Sequence, residues 1–297
     1  MAPFFLLEDF LNYLEIEKRY SAHTIIAYKK DLEQFLEFSN VQDRTDLLNI
    51  SRSDVRTWIV DLSNAELENK SINRKLSALR SFYKWLKKQQ ITANNPLVKI
   101  NGPKNVKRLP SFAKETELSI ERMESLFTPD FNGIRDQVMI ELFYQTGIRL
   151  SELLQLKNEQ YNSTYIKVIG KRNKERLIPI SSELAQLINS YQQLKNVMGF
   201  DSNYLLVNEK GNNLYAKFVY RKINDYLRKV TSLEKCSPHV LRHTFATHLL
   251  NNGAGLETLK NLLGHANLSA TQVYTHNSFA QLTNIYSQAH PRGAKND

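Results

Sequence analysis

TYIKVIGKRNKERLIPI, residues 164–180, breaks the pattern of everything around it. Its halves TYIKVIG and KERLIPI are short, rich in β-branched and aromatic residues, and joined by the polar KRNK. This predicts a hairpin with Lys171 and Arg172 at its turn. NYLLVN, residues 203–208, followed by the polar EKGNN, has the same character. A small antiparallel sheet is therefore predicted inside a chain that otherwise reads as helix.

On either side of that sheet the apolar period is helical. Ile134 to Leu154 carries apolar residues at i, i+3 and i+4, and helical signals run from about Leu214 to the end. Toward the amino terminus, Leu7, Phe10, Leu11 and Leu14 share one face. After the turn-like Ser21 so do Ile25, Tyr28, Leu32, Phe35 and Leu36. A third stretch lies near Val55 to Leu62. A fourth sets Ile72, Leu76, Leu79, Tyr83 and Leu86 in a stripe whose other faces carry Arg74, Lys75, Arg80, Lys84, Lys87 and Lys88. The fold class expected is mainly α. A four-helix domain would occupy residues 1–90, an extended linker 91–114, and an α+β domain with the small sheet 115–297.

Composition supports two globular domains. The 297 residues are 41% hydrophobic and 24% charged, enough for two cores. Forty Lys and Arg against 30 Asp and Glu leave +10, which favours a polyanion as partner, nucleic acid ahead of an anionic membrane. From Asn69 to Lys114 there are 12 Lys or Arg and no Asp or Glu, more than the whole net charge. Its second half, ITANNPLVKINGPKNVKRLPSFAK, carries three prolines and little periodicity. A basic helix running into a basic linker reads as a strap along a phosphate backbone, with Lys104, Lys107 and Arg108 in its second half. Cys236 is the one cysteine, so an intramolecular disulfide framework and multi-thiolate metal sites are excluded and a reducing cytoplasm fits best. No apolar run approaches the roughly 18 residues of a membrane span, so no membrane role is expected.

Four clusters place polar groups in strongly apolar surroundings, where leaving them unpaired would be costly. In ELFYQTGIRLSELLQL, Arg149 and Glu152 stand three apart on one helix face, so the carboxylate can hold the guanidinium in a fixed pose. The hairpin turn offers Lys171. SPHVLRHTFATHLLNNG crowds His239, Arg242, His243 and His248; His239 and Arg242, at i and i+3, project together toward an anion. The rival there is a metal site, but no glutamate completes an HExxH pattern and a third ligand is not evident, so no metal is expected. In NLLGHANLSATQVYTH, His265 follows a glycine and Tyr274 comes nine residues later, in a context that would ordinarily be core. Two arginines, a lysine, two histidines and a tyrosine together suit phosphoryl transfer in which fixed cations replace Mg²⁺.

TGIRLSEL, IGKRNKERLIPI, HVLRHTFATHLL and LLGHANLSATQVYTH resemble, in that order, the motifs of the tyrosine recombinase (phage integrase) family, closest to its bacterial Xer-type members. The resemblance implies a SAM-like DNA-clamp domain ahead of a catalytic domain. It also implies Tyr274 as the nucleophile forming a 3′-phosphotyrosyl link and Arg149 and Arg242 as the phosphate clamp. Lys171 would be the acid at the leaving 5′-oxygen, His239 the group handling the tyrosine proton, His265 a further donor to phosphate, and Glu152 the support of the arginine. Family members often carry glycine after the hairpin lysine, where this chain has Arg172. No cofactor is implied. The partners implied are double-stranded DNA and a homo- or hetero-tetramer on two DNA sites, with an activating DNA translocase left open. The activity implied is chromosome dimer resolution. Its alternatives are transposon or phage integration, a type IB topoisomerase, and a DNA-binding factor without chemistry.

The last expectation concerns the tail. NSFAQLTNIYSQAH sets Phe279, Leu282, Ile285 and Tyr286 on one face too short to be stable alone. It must dock, either on its own domain or, as the family resemblance favours, on a neighbouring protomer.

Overall fold

The computed structural model describes residues 3–105, 111–170, 174–264 and 276–293, and the chain divides into two compact units, Met1–Arg108 and Leu109–Asp297. The first unit holds five described helices: α1 (Pro3–Ile16), α2 (Ala22–Phe38), α3 (Arg44–Asn49), α4 (Arg52–Asn64) and α5 (Asn69–Lys88). The expected count of four lacks α3, a helix of only six residues. Reciprocal caps account for it. Asp43 accepts from the Asp46 N–H and Asp46 accepts from the Asp43 N–H, satisfying donors that so short a helix leaves open. Ser51 and Asp54 start α4 in the same way. The five helices enclose Phe10, Phe35, Trp58, Leu76, Phe82 and their neighbours.

The basic helix α5 is less uniformly solvated than its pattern predicts. Lys75 is buried, with Nζ 2.9 Å from Asp31 Oδ1, which corrects its assignment to the outer, DNA-facing set. Arg74 is exposed but pairs with the other Asp31 oxygen. Arg80 is half-buried and donates to Ile100 O at 2.8 Å. Lys84 and Lys104 are exposed, while Lys107 and Arg108 lie outside the described residues.

The linker boundaries also need correction. Leu97 and Ile100 are buried in the first core, and Asn73 and Asn69 donate to Pro103 O and Lys104 O at 2.8 and 2.9 Å. Gly102 allows this closeness, because a Cβ there would lie 2.0 Å from Asn73 Oδ1. At the other end Ala113 belongs to the second core. Its N–H donates to Thr244 Oγ1 and its carbonyl accepts from His248 Nε2, at 3.0 and 2.9 Å. An extended linker over 91–114 is thus replaced, over most of its length, by segments anchored to one unit or the other.

In the second unit α6 (Ile120–Glu124) precedes α7 (Phe131–Thr146), a helix buried nearly all round, as a central core helix must be. After α8 (Leu150–Leu154) come β1 (Tyr161–Asn162), β2 (Tyr165–Ile169) and β3 (Glu175–Pro179), an antiparallel sheet in that order. Ile166 faces Ile178 and Val168 faces Arg176. The hairpin of β2 and β3 is the predicted one. NYLLVN is not a strand: it makes isolated bridges, Lys157 with Tyr204 and Val207 with Asn213, while Leu205, Leu206 and Val207 are buried in the core. Its apolar run serves burial, and the short third strand is β1.

Then follow α9 (Ser182–Val197), α10 (Ala216–Val230), α11 (Pro238–Asn251), α12 (Leu256–Leu263) and α13 (His276–Ala289). The tail docks on its own unit, contacting α11 and β3, with Leu282, Tyr286 and Ala289 buried. Within one chain the tail thus takes the first of its two alternatives, docking on its own domain. Polar anchors explain the choice: Tyr286 donates to Gln145 Oε1 at 3.1 Å, and Arg292 meets Glu141 at 3.0 and 3.2 Å. In the single chain these groups are satisfied in place.

Candidate site for phosphoryl transfer to DNA

The site begins at the end of α7. Gly147 terminates that helix at φ 56°, the left-handed conformation that glycine tolerates, and a Cβ there would fall 2.5 Å from Phe245 and 2.9 Å from Leu263. The chain turns under α11 and restarts with Arg149 as the N-cap of α8. Glu152 then reaches back: Oε2 accepts the Arg149 backbone N–H and Oε1 accepts Arg149 Nη1, both at 2.8 Å. The i, i+3 spacing seen in the sequence produces this pose.

Glu152 has a second counterion, Arg176 of β3, whose Nη1 and Nη2 lie 3.0 and 2.8 Å from Oε1 and Oε2. Each carboxylate oxygen therefore accepts two hydrogen bonds. Burial alone would raise the Glu152 pKa, but the bonds and charge of Arg176, joined by the backbone and side chain of Arg149, hold it at about 2. Arg176 is 4% exposed. No motif singles it out, although a charged residue two places before Ile178, on a strand with one face buried, is a readable signal.

Arg242 enters from α11. Nη1 donates to Gly147 O and Nη2 to Leu263 O, the latter at 2.8 Å. Burial, then the charges of Arg149 and Arg176, lowers its pKa to about 10, so it stays cationic at neutral pH. One helix end gathers all three arginines. Arg176 Nε donates to Leu262 O at 2.8 Å, Arg242 Nη2 to Leu263 O, and Arg149 Nη2 to Gly264 O at 3.2 Å. These are the last carbonyls of α12 and its cap, where orphan acceptors and the negative end of the helix dipole favour cations. A guanidinium has five N–H donors, so Arg149 and Arg242 each retain donors after these bonds. Arg149 keeps 34% of its side chain exposed.

The structure thus brings Arg149, Glu152 and Arg242 together. His239, one turn before Arg242 on α11, is exposed. Lys171, Arg172, His265 and Tyr274 lie outside the described residues; α12 and its cap stop at Gly264 and α13 opens at His276, so the described chain brackets the segment with His265 and Tyr274. His248 is no ligand in waiting. Its Nδ1 meets Tyr144 OH at 3.0 Å and its Nε2 meets Ala113 O at 2.9 Å, so both nitrogens are committed, with Nε2 donating and Nδ1 accepting. That removes one of the three histidines from the rival metal reading.

The chain matches the Phage integrase family over residues 103–281 and the "Phage integrase, N-terminal SAM-like domain" over residues 7–90. It is 40% identical to Tyrosine recombinase XerC of Anoxybacillus flavithermus, covering 97% of this chain and 98% of the relative. The XerC of Staphylococcus saprophyticus is likewise 40% identical, with 97% and 98% covered. In fold it is similar to XerH site-specific recombinase bound to difH substrate (TM-score 0.68, 22% identity, 94% of this chain and 84% of that one). It is also similar in fold to the Tn1549 transposon integrase in complex with circular intermediate DNA (TM-score 0.68, 18% identity, 95% and 98% covered).

Proposed function

The chain belongs to the phage integrase family, among its Xer-type tyrosine recombinases, and we propose the following division of labour for its DNA strand exchange. Tyr274 attacks a scissile phosphodiester: its Oη–P bond forms as the P–O5′ bond breaks, leaving a 3′-phosphotyrosyl link and a free 5′-hydroxyl. The phenol proton passes to His239, and Lys171 supplies the proton taken by the 5′-oxygen. A phenol of ordinary pKa about 10 needs such an acceptor at neutral pH. Arg149 and Arg242 bind the non-bridging oxygens with planar, bidentate donors that a point-charge ammonium could not replace. His265 adds a donor and Glu152 holds Arg149. One ester is exchanged for another, so the bond energy stays in the protein link, no ATP is consumed, and rejoining is the same step reversed.

The observation that carries this reading is that Arg149 and Arg242 meet at one helix end, Arg149 held in place by the buried Glu152 carboxylate, each with donors to spare. The biological role we infer is chromosome dimer resolution in the cytoplasm, by a homo- or hetero-tetramer acting on two DNA sites. DNA-backbone contacts come from Arg74, Arg80, Lys84, Lys104, Lys107 and Arg108. Activation by a DNA translocase is an open part of the same reading. The test is to trap covalent adducts on genomic DNA and sequence the attachment points. Wild-type protein is expected to give one dominant site and Tyr274→Phe none, with DNA binding retained. A protease-sensitive adduct in Tyr274→Phe would assign the nucleophile elsewhere, and scattered attachment would replace recombination by topoisomerase-like relaxation.

A further inference from the structure

Arg176 is the deepest of the three arginines, and at 4% exposure it cannot itself reach a DNA phosphate. All three nitrogens of its guanidinium are used, two on Glu152 and one on Leu262 O. Glu152 with Arg149 alone would be a buried carboxylate facing a single cation. The favoured geometry would then be a fork-to-fork pair that draws the Arg149 donors inward. With Arg176 as the principal counterion, Arg149 is tied to the carboxylate side chain by Nη1 only. Its other donors are left for Gly264 O and for an incoming anion. Arg176 also fixes the helix end that Arg149 and Arg242 share, by gripping the Leu262 carbonyl. Gly264, at φ +64°, packs 3.2–3.4 Å from the Arg176 side chain when a Cβ is placed on it, so the cap and the arginine constrain each other. Strand β3 thereby sets the place of α12, and the residue after its cap is His265.

We propose that Arg176 is a positioning residue for DNA cleavage: it neutralises Glu152 and pins the end of α12, so that Arg149 and Arg242 present their free donors to the scissile phosphate. This rests on the assignment of Arg149 and Arg242 as the phosphate clamp. Lysine at 176 would keep the charge but not the geometry, since one ammonium cannot span both Glu152 oxygens and Leu262 O in the guanidinium plane.

The test uses full-length protein and a nicked duplex built on the mapped attachment site, made with either a phosphodiester or a neutral methylphosphonate at the scissile position. The methyl group removes the charge that the clamp neutralises. Arg176→Lys and Arg176→Gln are expected to bind the site within about threefold of wild type, yet to cleave the phosphodiester about 10- to 100-fold more slowly, part of the loss of a full preorganised donor. On the methylphosphonate the gap between wild type and variant should shrink to less than about fivefold, as it should for Arg149→Ala. Wild-type rates in both variants, or an equal deficit on both substrates, would overturn the proposal, the second because a merely structural defect ignores the charge of the substrate. If Arg176→Gln does not fold, Arg176→Lys decides the question. Should Arg149→Ala itself cleave the phosphodiester normally, the clamp assignment fails, and that result is distinct from either outcome for Arg176.

Discussion

The guanidinium of Arg242 answers two carbonyls at once, Gly147 O and Leu263 O, which lie 95 and 21 residues away in the chain. Removing it would take away the proposed phosphate donor and leave both carbonyls short of a partner. Arg242→Ala and Arg149→Ala are each expected to slow formation of the covalent adduct by at least about 100-fold, the scale of losing one preorganised donor, while filter binding changes much less. Arg242→Lys should fall nearly as far, because a single ammonium cannot hold both carbonyls and still face the phosphate. If binding collapsed while the chemical step kept its rate, these arginines would serve only to position DNA. Arg149, Glu152 and Arg242 were legible because each stands in a local motif whose spacing already implies its direction. Arg176 was not, since its partner Glu152 is 24 residues back and only the sheet brings them together. The same holds for His248, one of three histidines in SPHVLRHTFATHLLNNG, whose partners Tyr144 and Ala113 settle that it is structural.

At the level of elements, helix α13 and the residues after it are held by a buried polar latch. Arg292 pairs with Glu141 and lies 5.4 Å from the centre of the Tyr144 ring, while His290 stacks on Tyr286 at 5.0 Å. His290 Nε2 meets Tyr144 O at 3.1 Å and Nδ1 accepts the Arg292 N–H at 3.0 Å, so the ring is neutral with its proton on Nε2. Burial lowers its pKa to about 3 from an ordinary 6.5. A base whose pKa is lower when folded binds more protons unfolded, so its contribution is complete above about 6.5 and is lost as pH falls toward 3. Melting temperature should therefore decline across that window, and His290→Phe should flatten the decline; an unchanged slope would shift the acid sensitivity to other groups, His248 first. Arg292→Ala leaves Glu141 buried without its cation and is expected to cost about 3 kcal/mol, with faster hydrogen exchange in α13. The apolar face of this helix was readable from sequence, but its docking partner was not. A periodic stripe says that a face is buried and leaves open against what, and the latch residues Glu141 and Arg292 stand 151 apart. Likewise the hairpin was legible from composition, whereas NYLLVN shares that composition and is core without being strand.

Across the whole molecule, the excess charge is concentrated in a stretch that the fold sorts into two kinds of cation. Lys75 is internal and bound to Asp31, whereas Lys84 and Lys104 are open to solvent. Sequence could not separate them, because Asp31 lies 44 residues before Lys75 and comes from another helix. DNA affinity should tell them apart. Each phosphate contact contributes about 0.9 to the slope of log K against log salt, so replacing Lys104, Lys107 and Arg108 together by glutamine should flatten that slope by up to about 2.7 units. Lys75→Met should leave the slope unchanged and instead lower stability by about 3 kcal/mol, since Asp31 would keep only the half-exposed Arg74 as partner. Fluorescence titrations at several salt concentrations, paired with urea melts, measure both quantities. A slope unchanged by the triple replacement would make the Lys104–Arg108 stretch a solvated connection and move the backbone contacts to the exposed face of α5. A slope flattened by Lys75→Met would mean that this lysine leaves Asp31 for a phosphate when DNA binds.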